Sequence, residues 1–245
     1  MPRFASFDGA QIAFTVMGEG RPTLVLHGFL ANADLNFVQP GIAGRIEALR
    51  RQVILPDLRG HGASDAPEDE AAYPPDALAM DQEALLKHLG IAEYDLVGYS
   101  LGARTAMRML VRGARPKRVV LGGMGDSGIM NVGVRRAFFA DGILNGANAR
   151  HPQAGAYIQA SIAERGLKAK AMLNVLNQQV DTTADALAKI DMPMLIVSGE
   201  DDADNGSAEK LAAFLPNATA RRVPGNHLTA VMAPELGRAI AAFLG

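Results

Sequence analysis

The sequence has no cysteine, no tryptophan and only five histidines among its 245 residues. Without cysteine the chain cannot form disulfides, thiolate zinc sites or iron–sulfur clusters, and it has no cysteine nucleophile. Without tryptophan it has no indole N–H donor. Because histidine is the side chain that ordinarily titrates near neutral pH, we expect any general base to be one of His27, His61, His88, His151 and His227.

The net charge is small, and the sequence has no long apolar runs. The formal net charge of −2 indicates no electrostatic attraction to nucleic acid or to an anionic membrane. The longest apolar runs, such as residues 192–197, have about six residues, far fewer than the roughly 20 that span a membrane. No basic stretch followed by an apolar core opens the chain. We therefore expect a soluble, cytoplasmic protein with neither nucleic-acid nor membrane partners.

Strand-like and helix-like segments alternate along most of the chain. Continuous apolar runs, typical of strands buried on both faces of a parallel sheet, lie at residues 23–26, 53–55, 94–97, 118–121 and 194–197. A hairpin is predicted over residues 3–16 and a last strand over residues 218–223. Helical patterns lie between strands, at residues 76–89, 101–112, 207–214 and 228–244. The alternation predicts an α/β fold with an open, mostly parallel sheet.

Residues 127–188 interrupt this alternation. They contain no convincing strand, and helical patterns occur at residues 133–144, 152–165 and 168–179. An excursion of this kind is typical of a helical lid over the strand ends, where the active sites of such sheets lie. We therefore predict a core domain of residues 1–126 and 189–245, with a lid of residues 127–188 inserted after the sixth strand.

Residues 98–102 read Gly-Tyr-Ser-Leu-Gly between a predicted strand and a predicted helix. In that context G-x-S-x-G forms a sharp turn whose glycines let strand and helix approach each other. The turn presents the serine hydroxyl at a helix N-terminus, which favours developing negative charge. We predict that Ser100 is a nucleophile. The alternative is a glycine-rich turn with a capping serine.

A nucleophilic serine needs a base. His227 is the best candidate because it follows the last predicted strand and precedes the last helix. His27 and His61 each precede a glycine in a loop after a strand, so we expect them to hold those loops by hydrogen bonds. We expect His88, late in an amphipathic helix, and His151, in the insert, to lie at the surface or boundary.

The base needs an orienting acid at the end of another strand. Residues 198–204 follow a strong strand and hold four carboxylates in five residues. Asp126, after the preceding strand, is the competitor. The chain order of serine, acid and histidine is the same with either choice. Two amides would complete the site as an oxyanion hole: the N–H of Leu101 and the N–H of Phe29, in a loop that Gly28 allows to turn closely.

These features together resemble the α/β-hydrolase superfamily, and within it the lid-bearing esterase, lactonase and C–C hydrolase branch. The resemblance covers nearly the whole chain. It implies that Asp202 rather than Asp201 is the acid, and that the sheet has eight strands with an antiparallel second strand. The residues that carry it are residues 27–29 (His-Gly-Phe), 57–65 (Asp-Leu-Arg-Gly-His-Gly-Ala-Ser-Asp), the turn at Ser100, Gly199-x-x-Asp202, and 225–227 (Gly-Asn-His).

The resemblance also implies an activity. Dehalogenases and epoxide hydrolases of this superfamily use an aspartate nucleophile, where this chain has Ser100, so we expect neither activity. We expect a serine hydrolase that cleaves a small carboxylic ester or lactone without metal or organic cofactor. A C–C hydrolase, an acyltransferase, a perhydrolase and a weakly catalytic small-molecule receptor are the alternatives. Oligomeric state, monomer or homodimer, stays open. The candidate pocket walls are Phe29, Tyr99, Met130, Phe138 and Phe139.

Overall fold

Eight strands form a single sheet in a computed structural model that describes residues 1–245. In chain order the strands are β1 (Arg3–Ala5), β2 (Gln11–Met17), β3 (Arg21–Leu26), β4 (Arg51–Pro56), β5 (Asp95–Tyr99), β6 (Val119–Gly122), β7 (Met194–Gly199) and β8 (Ala218–Val223). Their order across the sheet is β1-β2-β4-β3-β5-β6-β7-β8. Strand β2 is antiparallel to both of its neighbours, and every pair from β4 to β8 is parallel. The predicted eight-stranded sheet with an antiparallel second strand is confirmed.

Ten α-helices connect and cover the strands. They are α1 (Ile42–Glu47), α2 (Ala77–His88), α3 (Leu101–Val111), α4 (Asp126–Met130), α5 (Val132–Asn145), α6 (Pro152–Glu164), α7 (Ala169–Asn177), α8 (Ala184–Leu187), α9 (Ala208–Ala213) and α10 (Pro234–Leu244). Helices α4 to α8 all lie between β6 and β7, in the segment where no strand was predicted. None of the helices combines the length and the apolar composition that crossing a membrane requires.

Both faces of the sheet are buried, which explains the unalternating apolar runs. Successive residues of a strand point to opposite faces. Thus Leu24 and Leu26 belong to one apolar cluster, with α2, α3 and α9, whereas Val25 belongs to a second cluster with α1 and α10. Strands β5 and β7 are buried at every residue. A sheet covered on both faces leaves only its strand ends free to form a site.

The segment between β3 and β4 is more helical than the sequence predicts. A π-helical turn at Asp34–Val38 and helix α1 both lie where no helix was assigned. Helix α1 has only six residues, includes Gly44 and starts after Gly41 at a φ of 75°, so its local pattern is weak. Tertiary burial of Ile42 and Ile46 against α10 stabilises it instead.

A buried ion pair fixes the loop that follows β4. The guanidinium of Arg59 is fully buried and donates to both carboxylate oxygens of Asp81, on α2, at 3.0 and 2.7 Å. It also donates to Asp8, in the hairpin between β1 and β2, and to the carbonyl oxygen of Ala72. Arg59 therefore joins the hairpin, α2 and the residue 57–65 segment.

Because Asp81 and Arg59 are both inaccessible, removing Asp81 leaves the buried guanidinium with only the partly exposed Asp8 as an ionic partner. We expect Asp81→Ala to lower the free energy of unfolding in urea by about 3–5 kcal/mol. Glu83→Ala, on the same helix, breaks the half-exposed ion pair with Arg112 and is the matched control, with an expected loss below about 1 kcal/mol. Equal losses in the two variants would contradict the assigned role of the buried pair. If Asp81→Ala does not fold, Asp81→Asn serves in its place.

Candidate active site

The turn between β5 and α3 holds Ser100 in an unusual backbone conformation, with φ 53° and ψ −112°. Residues with a side chain rarely adopt positive φ, and such strain concentrates at functional sites. The glycines on either side make the turn possible. A Cβ on Gly98 would overlap the backbone of Gly102, and a Cβ on Gly102 would overlap the carbonyl oxygen of Leu26. The first turn of α3 therefore lies directly against β3 and β5.

The structure brings Ser100, His227 and Asp202 together. His227 Nε2 lies 3.0 Å from Ser100 Oγ, and His227 Nδ1 lies 2.9 Å from Asp202 Oδ2. His227 follows β8 and is 9% exposed, and Asp202 follows β7 and is 6% exposed. The three side chains form a continuous hydrogen-bonded chain across the carboxyl ends of β5, β7 and β8.

Of the carboxylates considered, only Asp202 reaches His227. Asp201 is exposed, and Asp126 instead accepts a hydrogen bond from the backbone N–H of Ser207 at 2.8 Å. Burial by itself would raise the pKa of Asp202, but the hydrogen bond with His227 and the N–H of Asp204 together hold that pKa below its usual value. Asp202 is therefore a carboxylate at neutral pH.

Tyr99 contacts His227 through both its hydroxyl group and its ring. Its hydroxyl donates to the carbonyl oxygen of His227 at 2.7 Å, and the two rings lie 5.6 Å apart. Burial raises the pKa of Tyr99, so the hydroxyl stays protonated and remains a donor. The sequence interpretation placed Tyr99 only in the pocket wall. The structure adds this contact, which positions the backbone of His227.

The loop after β3 is held so that the amide of Phe29 stays free. His27 Nδ1 donates to the carbonyl oxygen of Gly28 at 2.8 Å, and its Nε2 accepts from the N–H of Leu58 at 2.9 Å. In a trans peptide the N–H points opposite the carbonyl, so fixing the Gly28 oxygen also fixes the Phe29 N–H. That N–H makes no hydrogen bond within the chain. A Cβ on Gly28 would lie 3.4 Å from Ser100 Cβ, which places the loop beside the serine.

The second candidate oxyanion donor, the N–H of Leu101, does not depend on a side chain such as His27 to hold it in place. Leu101 opens α3, and the first N–H groups of a helix have no acceptor within it. Its side chain is buried, leaving the amide at the turn.

A cavity of about 570 Å³ opens above Ser100 and His227. Phe29, Tyr99, Phe138 and Phe139 line it, as the sequence interpretation expects. Met130 does not line the cavity, so the prediction that it is a pocket residue is wrong. It ends α4 and packs against the larger apolar cluster instead. The wall also includes residues that were not predicted from the sequence to line the pocket. They are Leu30, Ala31, Leu35, Asn36, Gln39, Arg135, Gln153, Ala154, Tyr157, Ile158, Arg165, Asp204, Leu228, Val231 and Met232.

Arg104 is a buried cation without a carboxylate partner. It donates to the carbonyl oxygen of Gly128 at 2.7 Å, to Gln179 at 3.1 Å and to Asn205 at 2.8 Å. Burial and the nearby charge of Arg135 lower its pKa to about 10, so it stays charged at neutral pH. These contacts connect α3 to both ends of the helical segment and to the loop that carries Asp202.

Three ligand atoms of Asp202, Asp204 and His227 lie within 4.8 Å of one another, a spacing at which a metal ion could be held. Each group already has a partner, since Asp202 contacts His227 and Asp204 pairs with Arg135 at 3.0 Å. The arrangement fits a hydrogen-bonded triad better than a metal centre.

Comparison with known proteins agrees with this fold. Residues 22–121 match a family model described as alpha/beta hydrolase fold. An esterase from Exiguobacterium antarcticum superposes with a TM-score of 0.77 at 18% identity, over 99% of this chain and 98% of that one. The chain has the fold of the α/β-hydrolase superfamily. The resemblance inferred from the motifs is confirmed at the level of the fold.

The individual relatives that the chain matches carry different activities in their names. A fluoroacetate dehalogenase from Burkholderia sp is 36% identical over 111 residues, which cover 44% of the chain. The chain spans only 35% of the length of that relative. A non-heme haloperoxidase from Rhodococcus erythropolis is 27% identical over 267 aligned positions, covering 92% of each protein.

Two buried histidines near the candidate site make the fold sensitive to acid. Burial lowers the pKa of His27 to about 4, and burial together with the proximity of His27 lowers that of His61 to about 3. In the unfolded chain both pKa values return to about 6.5. Between about pH 6.5 and 4 the unfolded chain therefore binds protons that the folded chain does not, and stability falls as the pH falls.

We expect His61→Gln to reduce this pH dependence. Urea unfolding from pH 7 to pH 5 should show a slope smaller than that of the wild type by up to about 1.4 kcal/mol per pH unit. His88→Gln is the control, because His88 is exposed and should leave the slope unchanged. A His61→Gln slope equal to that of the wild type would refute the assignment of a buried neutral imidazole.

Proposed function

We propose that this α/β-hydrolase is a serine hydrolase that cleaves small carboxylic esters or lactones through an acyl-enzyme intermediate. The observation that carries the proposal is the chain of hydrogen bonds from Ser100 Oγ through His227 to Asp202, with distances of 3.0 and 2.9 Å. An isolated serine hydroxyl is a poor nucleophile, and this geometry is the one that activates it.

In the proposed reaction His227 Nε2 takes the proton from Ser100 as the oxygen attacks the carbonyl carbon. Asp202 accepts the hydrogen bond from Nδ1 and stabilises the imidazolium that forms. The carbonyl oxygen gains negative charge and binds the amides of Phe29 and Leu101. When the intermediate collapses, His227 returns the proton to the leaving alcohol. A water molecule, deprotonated by the same imidazole, then attacks the acyl-enzyme and frees the acid and Ser100.

We also propose that residues 127–188 act as a lid. Phe138 and Phe139, on α5, and Tyr157, on α6, close the cavity opposite the triad. A largely apolar wall of this kind excludes water and accommodates the acyl or alcohol group of an ester.

The residue at the nucleophile position argues against assigning to this chain the activity of the fluoroacetate dehalogenase that it resembles. The aspartate expected of dehalogenases in this superfamily forms an ester with the substrate carbon, whereas Ser100 attacks an acyl carbon. The similarity to the non-heme haloperoxidase, which covers 92% of both chains, favours perhydrolysis as the second candidate. In that reaction hydrogen peroxide replaces water in the attack on the same acyl-enzyme and releases a peracid. Comparison of peracid and acid formation from one ester, with and without peroxide, separates the two.

A fluorophosphonate probe tests the nucleophile directly, because it reacts only with an activated serine. We expect stoichiometric labelling of the wild type, and labelling of the Ser100→Ala variant to be lost, measured by intact-protein mass spectrometry. Mapping of the label to any residue other than Ser100 would overturn the proposal.

Neighbouring aspartates provide a matched test of the acid. We expect Asp202→Asn to lower kcat for a p-nitrophenyl ester by roughly 10³- to 10⁴-fold, because the amide no longer stabilises the imidazolium. Asp201→Asn removes the adjacent, exposed charge and should change kcat by less than about twofold. Similar losses in both variants would mean that overall loop charge, and not the contact with His227, matters.

A further inference from the structure

The wall of the cavity above Ser100 is largely apolar and carries few charges. Its charged side chains are Arg135, Arg165 and Asp204. Two guanidinium groups and one carboxylate give the wall an excess positive charge. A cleft with an excess of charge of one sign attracts a ligand of the opposite sign.

The two arginines differ in whether a carboxylate neutralises their charge. Arg135 pairs with Asp204 at 3.0 Å, and its guanidinium lies 4.9 Å from the ring centroids of both Phe138 and Phe139. Arg165 forms no ion pair. Its one hydrogen bond runs from Nη1 to the carbonyl oxygen of Leu30 at 2.8 Å.

Arg165 is thus an exposed cation of the cavity wall that a hydrogen bond holds in place and that no carboxylate of the chain pairs with. A guanidinium has five N–H donors, and the Leu30 contact uses one of them. Leu30 directly follows Phe29, whose amide is the proposed oxyanion donor, so the hydrogen bond fixes Arg165 relative to the reacting carbonyl. The remaining donors have the planar geometry that matches a carboxylate.

We propose that the site takes esters that carry a carboxylate away from the scissile bond, with Arg165 as the residue that binds it. This rests on the proposed function, and it names the substrate class. Hydrolysis of such a half-ester, with the carboxylate in its acyl part, releases an alcohol and a dicarboxylic acid. A neutral ester of the same length fills the apolar part of the cavity but leaves Arg165 without its ionic partner.

The kinetic experiment compares p-nitrophenyl half-esters of succinate, glutarate and adipate with the same compounds methylated at the free carboxylate. For each protein the ratio of kcat/KM for the charged and methylated compounds is taken, so that any general disturbance of the Leu30 loop cancels. We expect the wild type to favour the charged compound by at least tenfold at one chain length, through a lower KM. Arg165→Gln should reduce that ratio roughly ten- to hundredfold, and Arg165→Lys should restore part of it.

Arg150→Gln is the control, since Arg150 is exposed and lies outside the cavity wall. It removes the same charge from the same segment and should leave the ratio at the wild-type value. A wild-type ratio near one at every length, or the same ratio in Arg165→Gln, would overturn the proposal.

Binding measurements distinguish failure of the carboxylate proposal from failure of the proposed hydrolase function. Calorimetry with the Ser100→Ala variant compares monomethyl glutarate with dimethyl glutarate, and repeats both with Ser100→Ala/Arg165→Gln. If no ester is hydrolysed but the monocarboxylate binds through Arg165, the carboxylate site stands and ester hydrolysis does not. If methylated esters are hydrolysed and the carboxylate improves neither rate nor binding, the hydrolase stands and the carboxylate site does not.

Discussion

The close packing of α3 on β3 and β5 is the constraint on which the site depends. Gly98 and Gly102 remove the two side chains that would block this approach. With helix and strands in contact, the residue between them cannot relax, and Ser100 is held at φ 53°. Its hydroxyl then faces His227, and the next amide opens a helix. The positions of the proposed nucleophile and of one proposed oxyanion donor are thus two consequences of a single backbone contact.

The other groups of the proposed catalytic site lie on loops, and buried polar side chains of the core hold those loops in place. His27 fixes the peptide that carries the Phe29 amide, and Tyr99 fixes the backbone of His227. Asp57 accepts from the N–H groups of Ala33 and Ala63, joining the loops after β3 and β4. Hydrogen bonds of this kind restrict the loops without covering them, so the ends of the strands remain open to substrate.

Features with a local signature could be predicted from the sequence, and features set by tertiary contact could not. Apolar runs mark strands because both sheet faces are buried, and residues 98–102 mark the turn because its sterics are local. Selection of Asp202 among several carboxylates required the family resemblance, since adjacent residues on one loop differ only in direction. Met130 was misplaced because an apolar residue packs equally well against core or cavity. Arg104 took amide and carbonyl partners, which leave no charge pattern in a sequence.

Core and insert contribute different properties to this protein. The candidate triad and the supports of its loops come from the sheet and its connections, so the proposed class of reaction belongs to the core. The cations at the cavity, Arg135 and Arg165, come from the insert, and each contacts a loop next to a proposed catalytic group, through Asp204 and Leu30 respectively. A substitution on α5 or α6 can therefore change the charge of the cavity while leaving the Ser100 turn intact. Substrate preference can change by this route without rebuilding the catalytic geometry.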